Sequence, residues 1–308
     1  MTTISGYYHK DYAQAFAHLG AVVPLSSANG WLLQKNIANT VFCDLTSCYP
    51  FLCCQHWDKL ALDLSHLNDQ NVSLTLMTDP LATLQAKKMA EFFDVFKLYK
   101  QHYIVDLKIN YLLSFSSHHQ REIKRTTVKL HVELIEKPIT LLAEWLTLYQ
   151  QLITRHSIKG ITAFSEHAFR QQFSVPGLVM FAAYAEQGLA GIALWYQSQH
   201  NAYYHLTAYN TLGYQYGASY ALMAASLDYF CQQDLHWASL GAGAGVYAKQ
   251  RDGLADFKAG FATTTKPVYL AGKILNPTRY QLLSEQTQTS HSSYFPAYRA
   301  LVNTLKPS

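Results

Sequence analysis

The chain has 308 residues, of which 49% are hydrophobic and 14% are charged, and its formal net charge is +4 at neutral pH. This composition can form a large core, so it excludes an intrinsically disordered chain, and the mild charge sets no requirement for DNA or an anionic membrane as a partner. No run approaches the roughly 18 apolar residues of a membrane span and no secretory signal is visible, so we expect a cytoplasmic protein. The five cysteines form no CxxC pair and are expected to be structural thiols.

Short elements are predicted for the first third of the chain. Apolar residues at helical spacing predict a helix over 8–20, and short apolar runs between turn residues predict strands over 30–63. Asp79 and Pro80 favour the first turn of a helix, with Asp79 as its cap, so we expect a helix to begin there.

A strand, a basic helix and a second strand are predicted next. HYIVDL at 102–107 and KLHVELI at 129–135 have the composition of strands. The segment between them predicts a helix with Arg121 and Arg125 one turn apart, and these side chains could bind phosphate groups or form a charged surface face.

Lys137-Pro138 favours a break, because the residue before a proline is disfavoured in a helix. We therefore expect an N-terminal lobe of residues 1–137 and a C-terminal lobe of residues 138–308. In the second lobe an amphipathic pattern predicts a helix over 139–156, and Ser165 is expected to cap another helix. Three strands follow, the first two as a hairpin. This mixed order predicts an α/β (mixed α+β) fold and not a doubly wound Rossmann domain.

Residues 201–261 are the most informative stretch of the sequence. A predicted strand runs into a turn with glycines, a long apolar helix, a second short strand, a glycine-rich loop and a short amphipathic helix. The first N–H groups of a helix lack partners within the helix and lie at the positive end of its dipole, so a helix start attracts anions. This order therefore predicts a site for an acyl donor with an anionic group.

Three segments resemble a known family. They are YYHLTAYNTLGYQYGASYALMAASLDYF at 203–230, GLADFKAGF at 253–261, which is similar to a frequent Phe-Lys-x-Gly-Phe ending, and HYIVDLKIN…SSHHQREIKRT at 102–126. Together they resemble the GNAT acyltransferases, and within them the Fem-like group, which includes peptidoglycan aminoacyl transferases and acetyltransferases of exopolysaccharide clusters. The resemblance implies two GNAT-like lobes, each a mixed, mostly antiparallel sheet flanked by helices, with a substrate cleft between them and the donor held by the second.

The resemblance also implies how the donor is held. The glycine that a GNAT donor loop requires aligns with Gly217, but the usual Arg or Gln before it is absent. Contact with the donor would therefore use backbone N–H groups, which belong to Tyr216, Gly217, Ala218 and Ser219. Lys258 stands where Fem-like proteins have a lysine that contacts the substrate or the donor. Asp256 stands where GNAT enzymes often have the tyrosine that protonates the leaving thiolate, and an ionised carboxylate is a poor acid.

Further candidates lie on the predicted strands. His205 is a candidate base for the acceptor amine, because histidine titrates near neutral pH, and the alternative is a hydrogen-bonded histidine at a sheet surface. Of the neighbours Tyr203 and Tyr204, one should face the cleft and one the core, and we take Tyr204 as a catalytic candidate and Tyr203 as a substrate-binding one. Gly241 and Gly243 lie in a loop where the backbone can approach a ligand or a helix closely.

Two kinds of site are not expected. The adjacent His118 and His119 point to different faces of a helix and no matching pair follows, so we expect no metal. The alternating glycines after residue 240 do not have the spacing of a dinucleotide-binding loop, and neither GxSxG nor GxxxxGK[ST] occurs.

Three hypotheses about function follow. The leading one is an N-acyltransferase that uses acyl-coenzyme A and acylates an amine of a small molecule, an amino sugar or an amino acid, by direct attack in a ternary complex. The second is a Fem-like transferase that forms a peptide bond with aminoacyl-tRNA as the donor, and the third is a degenerate GNAT fold that only binds. The expected context is cell-envelope or secondary-metabolite biosynthesis, and a homodimer is left open.

Overall fold

The computed structural model describes residues 4–198, 200–244 and 252–300. The strands that form within these residues are β1 Ala21–Leu25, β2 Gly30–Asn36, β3 Cys43–Ser47, β4 Asn71–Met77, β5 Val95–Asp106, β6 His131–Ile135, β7 Leu178–Ala185, β8 Gly188–Ser198, β9 Asn201–Tyr209, β10 Trp237–Gly241 and β11 Thr264–Ile274. The α-helices are α1 Lys10–Gln14, α2 Leu60–Ser65, α3 Ala86–Phe92, α4 Ser117–Thr127, α5 Leu142–His156, α6 Glu166–Gln172, α7 Thr211–Tyr216, α8 Ala218–Gln232, α9 Gly253–Ala259 and α10 Pro277–Gln286.

The chain forms two compact units. The first comprises the described residues of Met1–Ala15 and Lys100–Pro267. Its strands lie in the order β5, β10, β9, β8, β7, β6, and neighbours are antiparallel except β9 and β10, which are parallel. Helix α8 packs against β7, β8 and α4, and α5 packs against β9. Trp195, Phe230 and Phe261 are fully buried in the core of this unit.

The second unit comprises the described residues of Phe16–Tyr99 and Val268–Ser308. Its strands lie in the order β1, β2, β3, β4, β11, and again one neighbouring pair, β3 and β4, is parallel. Leu32, Leu45 and Leu74 are buried at its centre. The predicted mixed α/β fold, with mostly antiparallel sheets flanked by helices, is confirmed.

The units are interleaved along the sequence. Residues of β5 and of β11 belong to both units, and the first 15 residues belong to the same unit as Lys100–Pro267. The lobe boundary predicted between residues 137 and 138 falls within the first unit, at the 3-10 turn Pro138–Leu141 that leads into α5. The lobes 1–137 and 138–308 stay a prediction.

Polar caps explain several helix starts. Ser165 Oγ accepts the Ala168 N–H at 3.2 Å, so the predicted cap of α6 is confirmed. Asn210 in the same way caps α7 through Gly213 N–H at 3.0 Å. Such caps satisfy N–H groups that the helix itself leaves without a partner.

The helix expected to begin at Asp79 is wrong, because α3 begins only at Ala86. Asp79 is 1% exposed and its carboxylate accepts the Leu81 N–H at 2.8 Å, two residues on. That short-range bond is typical of an Asx turn, which competes with helix capping for the same residue type.

Among the helices of the described residues, none combines the length and the apolar character needed to cross a membrane.

Candidate functional site

Strands β9 and β10 separate after a short parallel ladder. Asn201–Tyr203 pairs with Trp237–Ser239, whereas β9 continues to Tyr209 and β10 to Gly241. Where neighbouring strands part, the ladder hydrogen bonds between them stop and the polar backbone needs another partner. The parting point therefore marks a place in the first unit where a ligand can meet both strands.

A bulge in β9 changes which side chains share a face there. On β8, Leu194 pairs with Leu206 and Trp195 with Tyr204, so His205 is an extra residue on β9. One extra residue inverts the alternation of the residues that follow. The side chain of Tyr204 consequently hydrogen-bonds to the side chains of Thr207 and Tyr209, three and five residues later.

His205 lies in a buried hydrogen-bond network. Its Nδ1 is 3.0 Å from the Tyr7 hydroxyl and its Nε2 is 3.0 Å from Gln172 Oε1, so the Nε2 tautomer can accept from Tyr7 and donate to Gln172. Burial lowers the pKa of His205 to about 3. Both ring nitrogens thus have protein partners, a geometry that favours the alternative reading, a hydrogen-bonded histidine, over a base.

The two neighbouring tyrosines point to different surroundings. Tyr203 is 2% exposed, and its ring lies 5.3 Å from the Tyr7 ring, beside the His205 network. The Tyr204 ring packs on Trp195 at 4.8 Å, and Lys258 Nζ lies 5.9 Å from its centroid. Of the pair, Tyr204 is therefore the one placed beside Lys258.

Lys258 is the most unusual of the predicted residues, because a lysine on a short helix is here 7% exposed. Its Nζ donates to Ala242 O at 2.7 Å, just beyond the end of β10. A Cβ built on Gly241 would lie 3.1 Å from this Nζ, and Gly241 has a φ of +80°, so glycine suits both the backbone and the space. Burial, with the Lys100 charge as a smaller cause, lowers the pKa of Lys258 to about 8, against the opposing effect of Asp252.

Further basic groups from β5 lie beside Lys258. Lys100 Nζ donates to Gly243 O at 3.3 Å, one residue after the carbonyl that Lys258 contacts. His102 Nδ1 is 3.4 Å from Ser239 Oγ, and burial together with both lysine charges lowers the pKa of His102 to about 3. Two ammonium groups thus converge on consecutive carbonyl groups at the end of β10.

Asp252 fixes the loop after β10 against α9. Its carboxylate accepts the Leu254 N–H at 3.0 Å as the cap of α9 and the Ala244 N–H at 2.5 Å. A Cβ built on Gly243 would lie under 3.0 Å from Asp252 Oδ2. Gly241 and Gly243 thus allow the close approach of backbone to a helix that the sequence predicts, and Gly245 lies outside the described residues.

The glycine of the Phe-Lys-x-Gly-Phe ending faces His119. A Cβ built on Gly260 would lie well under 3.0 Å from three atoms of the His119 ring. The ring is held by Ser116 Oγ at 2.8 Å from Nδ1 and by Phe257 O at 2.8 Å from Nε2. Gly260 therefore lets α4 approach α9, the helix that carries Lys258.

The predicted donor loop is the junction of two helices. Gly217 has a φ of +72° and separates α7 from α8, and it offers no side chain to cap the start of α8. A Cβ built on it would lie 3.5 Å from Arg125 Nη2 of α4 and 3.1 Å from Thr126 Cγ2. Lys129 Nζ lies 5.6 Å from the Tyr216 ring centroid. The helix start formed by Gly217, Ala218 and Ser219 thus has cationic side chains beside it.

Arg121 and Asp256 are exposed residues of the two helices that carry Arg125 and Lys258. Arg121 is exposed on α4, one turn before Arg125, and Arg125 also pairs with Glu122 at 2.5 Å. Asp256 is exposed on α9, the helix whose Lys258 is buried.

Sequence reasoning missed Lys100, His102 and Tyr209. The first two alternate on β5, which begins at Val95 and not at residue 102 as predicted, so Lys100 fell outside the expected strand. A period of two over Lys100 and His102 is the signal that a longer strand would have offered.

Over the described residues, no group of three or more His, Cys, Asp or Glu side chains is arranged to hold a metal ion.

The chain is similar to one protein family and to several solved structures. Residues 117–250 match the family model of an acetyltransferase (GNAT) domain. The crystal structure of FemX has a TM-score of 0.67 at 12% identity and covers 89% of this chain and 93% of its own. The C-terminal domain of a protein described as a lysylphosphatidylglycerol synthetase, from Agrobacterium fabrum, has a TM-score of 0.60 at 13% identity, with 91% and 94% covered.

L-PGS from Bacillus licheniformis has a TM-score of 0.54 at 14% identity, with 88% of this chain and 94% of that chain covered. No curated protein matches the sequence. At these identities the structures share the fold with this chain, and the family model supports an acyltransferase activity in broad terms. The resemblance read from the sequence is confirmed: residues 117–250 match the model of a GNAT acetyltransferase domain, and the chain shares its fold with FemX.

Proposed function

We propose that the protein is an N-acyltransferase that takes its acyl group from acyl-coenzyme A. The observation that carries the proposal is the start of α8, where the Arg125 guanidinium lies beside Gly217. A helix start and a guanidinium both bind phosphate oxygens, and coenzyme A carries a diphosphate. Arg125 thereby replaces in space the Arg or Gln that is missing from the loop sequence.

In this proposal Ala218 and Ser219 contact the donor diphosphate through backbone N–H groups, because the Gly217 N–H already donates to Gly213 O and Tyr216 is the last residue of α7. Arg121 extends the basic surface along α4. Lys258 holds the acyl end of the donor at the parting point of β9 and β10, since its ammonium already donates to a carbonyl there. A compact cation at that point would also stabilise negative charge on the acyl oxygen during attack.

The proposed reaction is direct. The neutral nitrogen of the acceptor amine attacks the acyl carbonyl carbon, a C–N bond forms, and the C–S bond to coenzyme A breaks. The amine loses a proton to water, and the thiolate of coenzyme A takes up a proton. Tyr204, beside Lys258, is the proposed donor of that proton, because Asp256 is exposed and Tyr204 is the hydroxyl at the strand opening.

Donor binding tests the proposal directly. Isothermal titration would measure the Kd of acetyl-coenzyme A, coenzyme A and charged tRNA for the wild-type chain and for Arg125→Gln. We expect binding of both coenzyme A species, weakened by about tenfold to a hundredfold in the variant, the range for a lost hydrogen bond to a charged group.

Arg170→Gln is the matched control. Arg170 of α6 pairs with Glu166 through Nε at 3.0 Å and Nη2 at 2.5 Å, and Arg125 pairs with Glu122 at 3.1 and 2.5 Å in the same way. Only Arg125 of the two lies beside a helix start. Equal loss in both variants, or no coenzyme A binding at all, would overturn the assignment, and salt-sensitive binding of charged tRNA alone would favour the aminoacyl-tRNA alternative.

A further inference from the structure

A second opening in the first unit is a cleft of about 830 Å³ between α5 and the segment from the end of β9 into α7. Ligand-binding clefts are typically about 300–1,000 Å³, so this one can hold a molecule of sugar or nucleotide size. It contains none of the residues that the sequence singled out as site residues.

The cleft surface is mostly apolar, with polar side chains spread over it and almost no net charge. On α5 the cleft face includes Gln150, Gln151 and Thr154, which share one side of the helix. Amide and hydroxyl side chains both donate and accept hydrogen bonds, so they suit a ligand rich in hydroxyl groups. Within the described part of the chain, Arg155 is the one charged residue of this lining.

Arg155 is held in a defined orientation. Its guanidinium carbon lies 3.9 Å from the centroid of the Tyr214 ring, and Tyr214 in turn meets the Tyr209 ring edge-on at 5.7 Å. No ion pair of Arg155 with an acidic group occurs among the residues that the structure describes. A guanidinium presents its N–H donors in one plane, which suits two oxygens of a phosphate or carboxylate.

The cleft also connects to the parting strands. Tyr209 lines the cleft, and its hydroxyl hydrogen-bonds to Tyr204, the residue beside Lys258. Tyr209 is therefore shared by the lining of the cleft and by the hydrogen-bonded tyrosine pair beside Lys258.

We propose that this cleft binds the acceptor, and that the acceptor is an amine-bearing sugar with a phosphate group. The role as acceptor site rests on the proposed function; the binding of the sugar phosphate does not. The charge of the lining narrows the class of ligand. A polycationic amino sugar would need carboxylates around it, whereas Arg155 gives the cleft a positive charge.

Direct binding in the absence of donor tests the inference. Isothermal titration would use glucosamine 6-phosphate, glucosamine, inorganic phosphate and kanamycin as probes, with the full chain, Arg155→Gln and the control His156→Gln. His156 is the next residue of α5, is exposed and does not line the cleft. We expect glucosamine 6-phosphate to bind best of the four probes, and its affinity to fall about tenfold to a hundredfold in Arg155→Gln. The affinity for glucosamine should be the same in Arg155→Gln as in wild type, and His156→Gln should bind all probes like wild type.

The outcomes separate the two proposals. Equal affinity for glucosamine and its phosphate, tighter binding of kanamycin, phosphate binding as tightly as the sugar phosphate, or no effect of Arg155→Gln would each overturn the inference. If glucosamine 6-phosphate binds through Arg155 but acetyl-coenzyme A does not bind, the cleft stands and the proposed donor fails. If acetyl-coenzyme A binds through Arg125 but no probe enters the cleft, the inference fails alone.

Discussion

Replacing Gly260 by alanine should destabilise the protein through a single side chain, His119. The new methyl would lie under 3.0 Å from three ring atoms, closer than real Cβ atoms come. The ring cannot turn away without losing its bonds to Ser116 and to Phe257 O. Gly260 itself has a φ of −69°, which alanine adopts readily, so the backbone adds no strain.

The size of the effect follows from these contacts. Overpacking a filled site costs about 1–3 kcal/mol. Losing one or both bonds of the ring adds about 1–2 kcal/mol. Alanine in place of glycine recovers about 0.4–1 kcal/mol by restricting the unfolded chain. We therefore expect the free energy of unfolding to fall by about 1–5 kcal/mol, with a central value of about 3 kcal/mol.

A double-mutant cycle makes this attribution sharp. In a His119→Ala background the obstructing ring is absent, so Gly260→Ala should be neutral or slightly stabilising, and the sign of its effect changes. Gly253→Ala is the control on the same helix, since a Cβ there meets nothing within 4 Å. Urea unfolding followed by circular dichroism measures all five proteins. The same destabilisation by Gly260→Ala in both backgrounds would refute the reasoning, because contacting residues should couple.

The remaining predictions concern Lys258 and His205. The pKa of Lys258 is lowered to about 8, so its ammonium is present below that pH and lost above it. The Kd of acetyl-coenzyme A should therefore rise about tenfold from pH 7 to pH 9, and Lys258→Arg should abolish this rise. A Kd that does not change with pH in the wild-type chain would show that Lys258 does not bind the donor as a cation. His205→Gln keeps a donor and an acceptor for Gln172 and Tyr7, so acyl transfer should stay within about threefold of wild type; a loss of about a hundredfold would instead restore His205 as the base.

Local patterns were enough to predict the fold class. The long apolar strands β7, β8 and β9 and the helix that follows them are visible as periodicity in the sequence, and Ser165 marks its helix start by residue type alone. The interleaving of the units was not visible, because it depends on β11 pairing with β4, about 190 residues earlier. Asp79 shows a similar limit of sequence patterns, because the same side chain can cap a helix or form a turn, and here it forms a turn with the Leu81 N–H.

The candidate site was predicted in composition but not in arrangement. Gly217 and Lys258 were found from motifs, yet the cation beside Gly217 comes from Arg125, more than 90 positions earlier, through the contact of α4 with α8. The bulge at His205 was equally hidden, because one extra residue leaves no mark on the amino-acid pattern of a strand. Because of this bulge the side chain of Thr207 hydrogen-bonds to that of Tyr204.

The Phe-Lys-x-Gly-Phe ending acquires a physical account from these contacts. Phe261 is fully buried and anchors the turn after α9, Gly260 admits the His119 ring of α4, and Lys258 enters the end of β10 beside Gly241. Each of these residues contacts a different neighbour, because successive positions on one helical turn face in different directions. The order of residues in the motif follows from these directions. A motif of this kind fixes the position of an ammonium group by packing on both sides of the helix. The position of the lysine therefore also depends on His119, which packs against Gly260, and on Gly241, which leaves room for its Nζ.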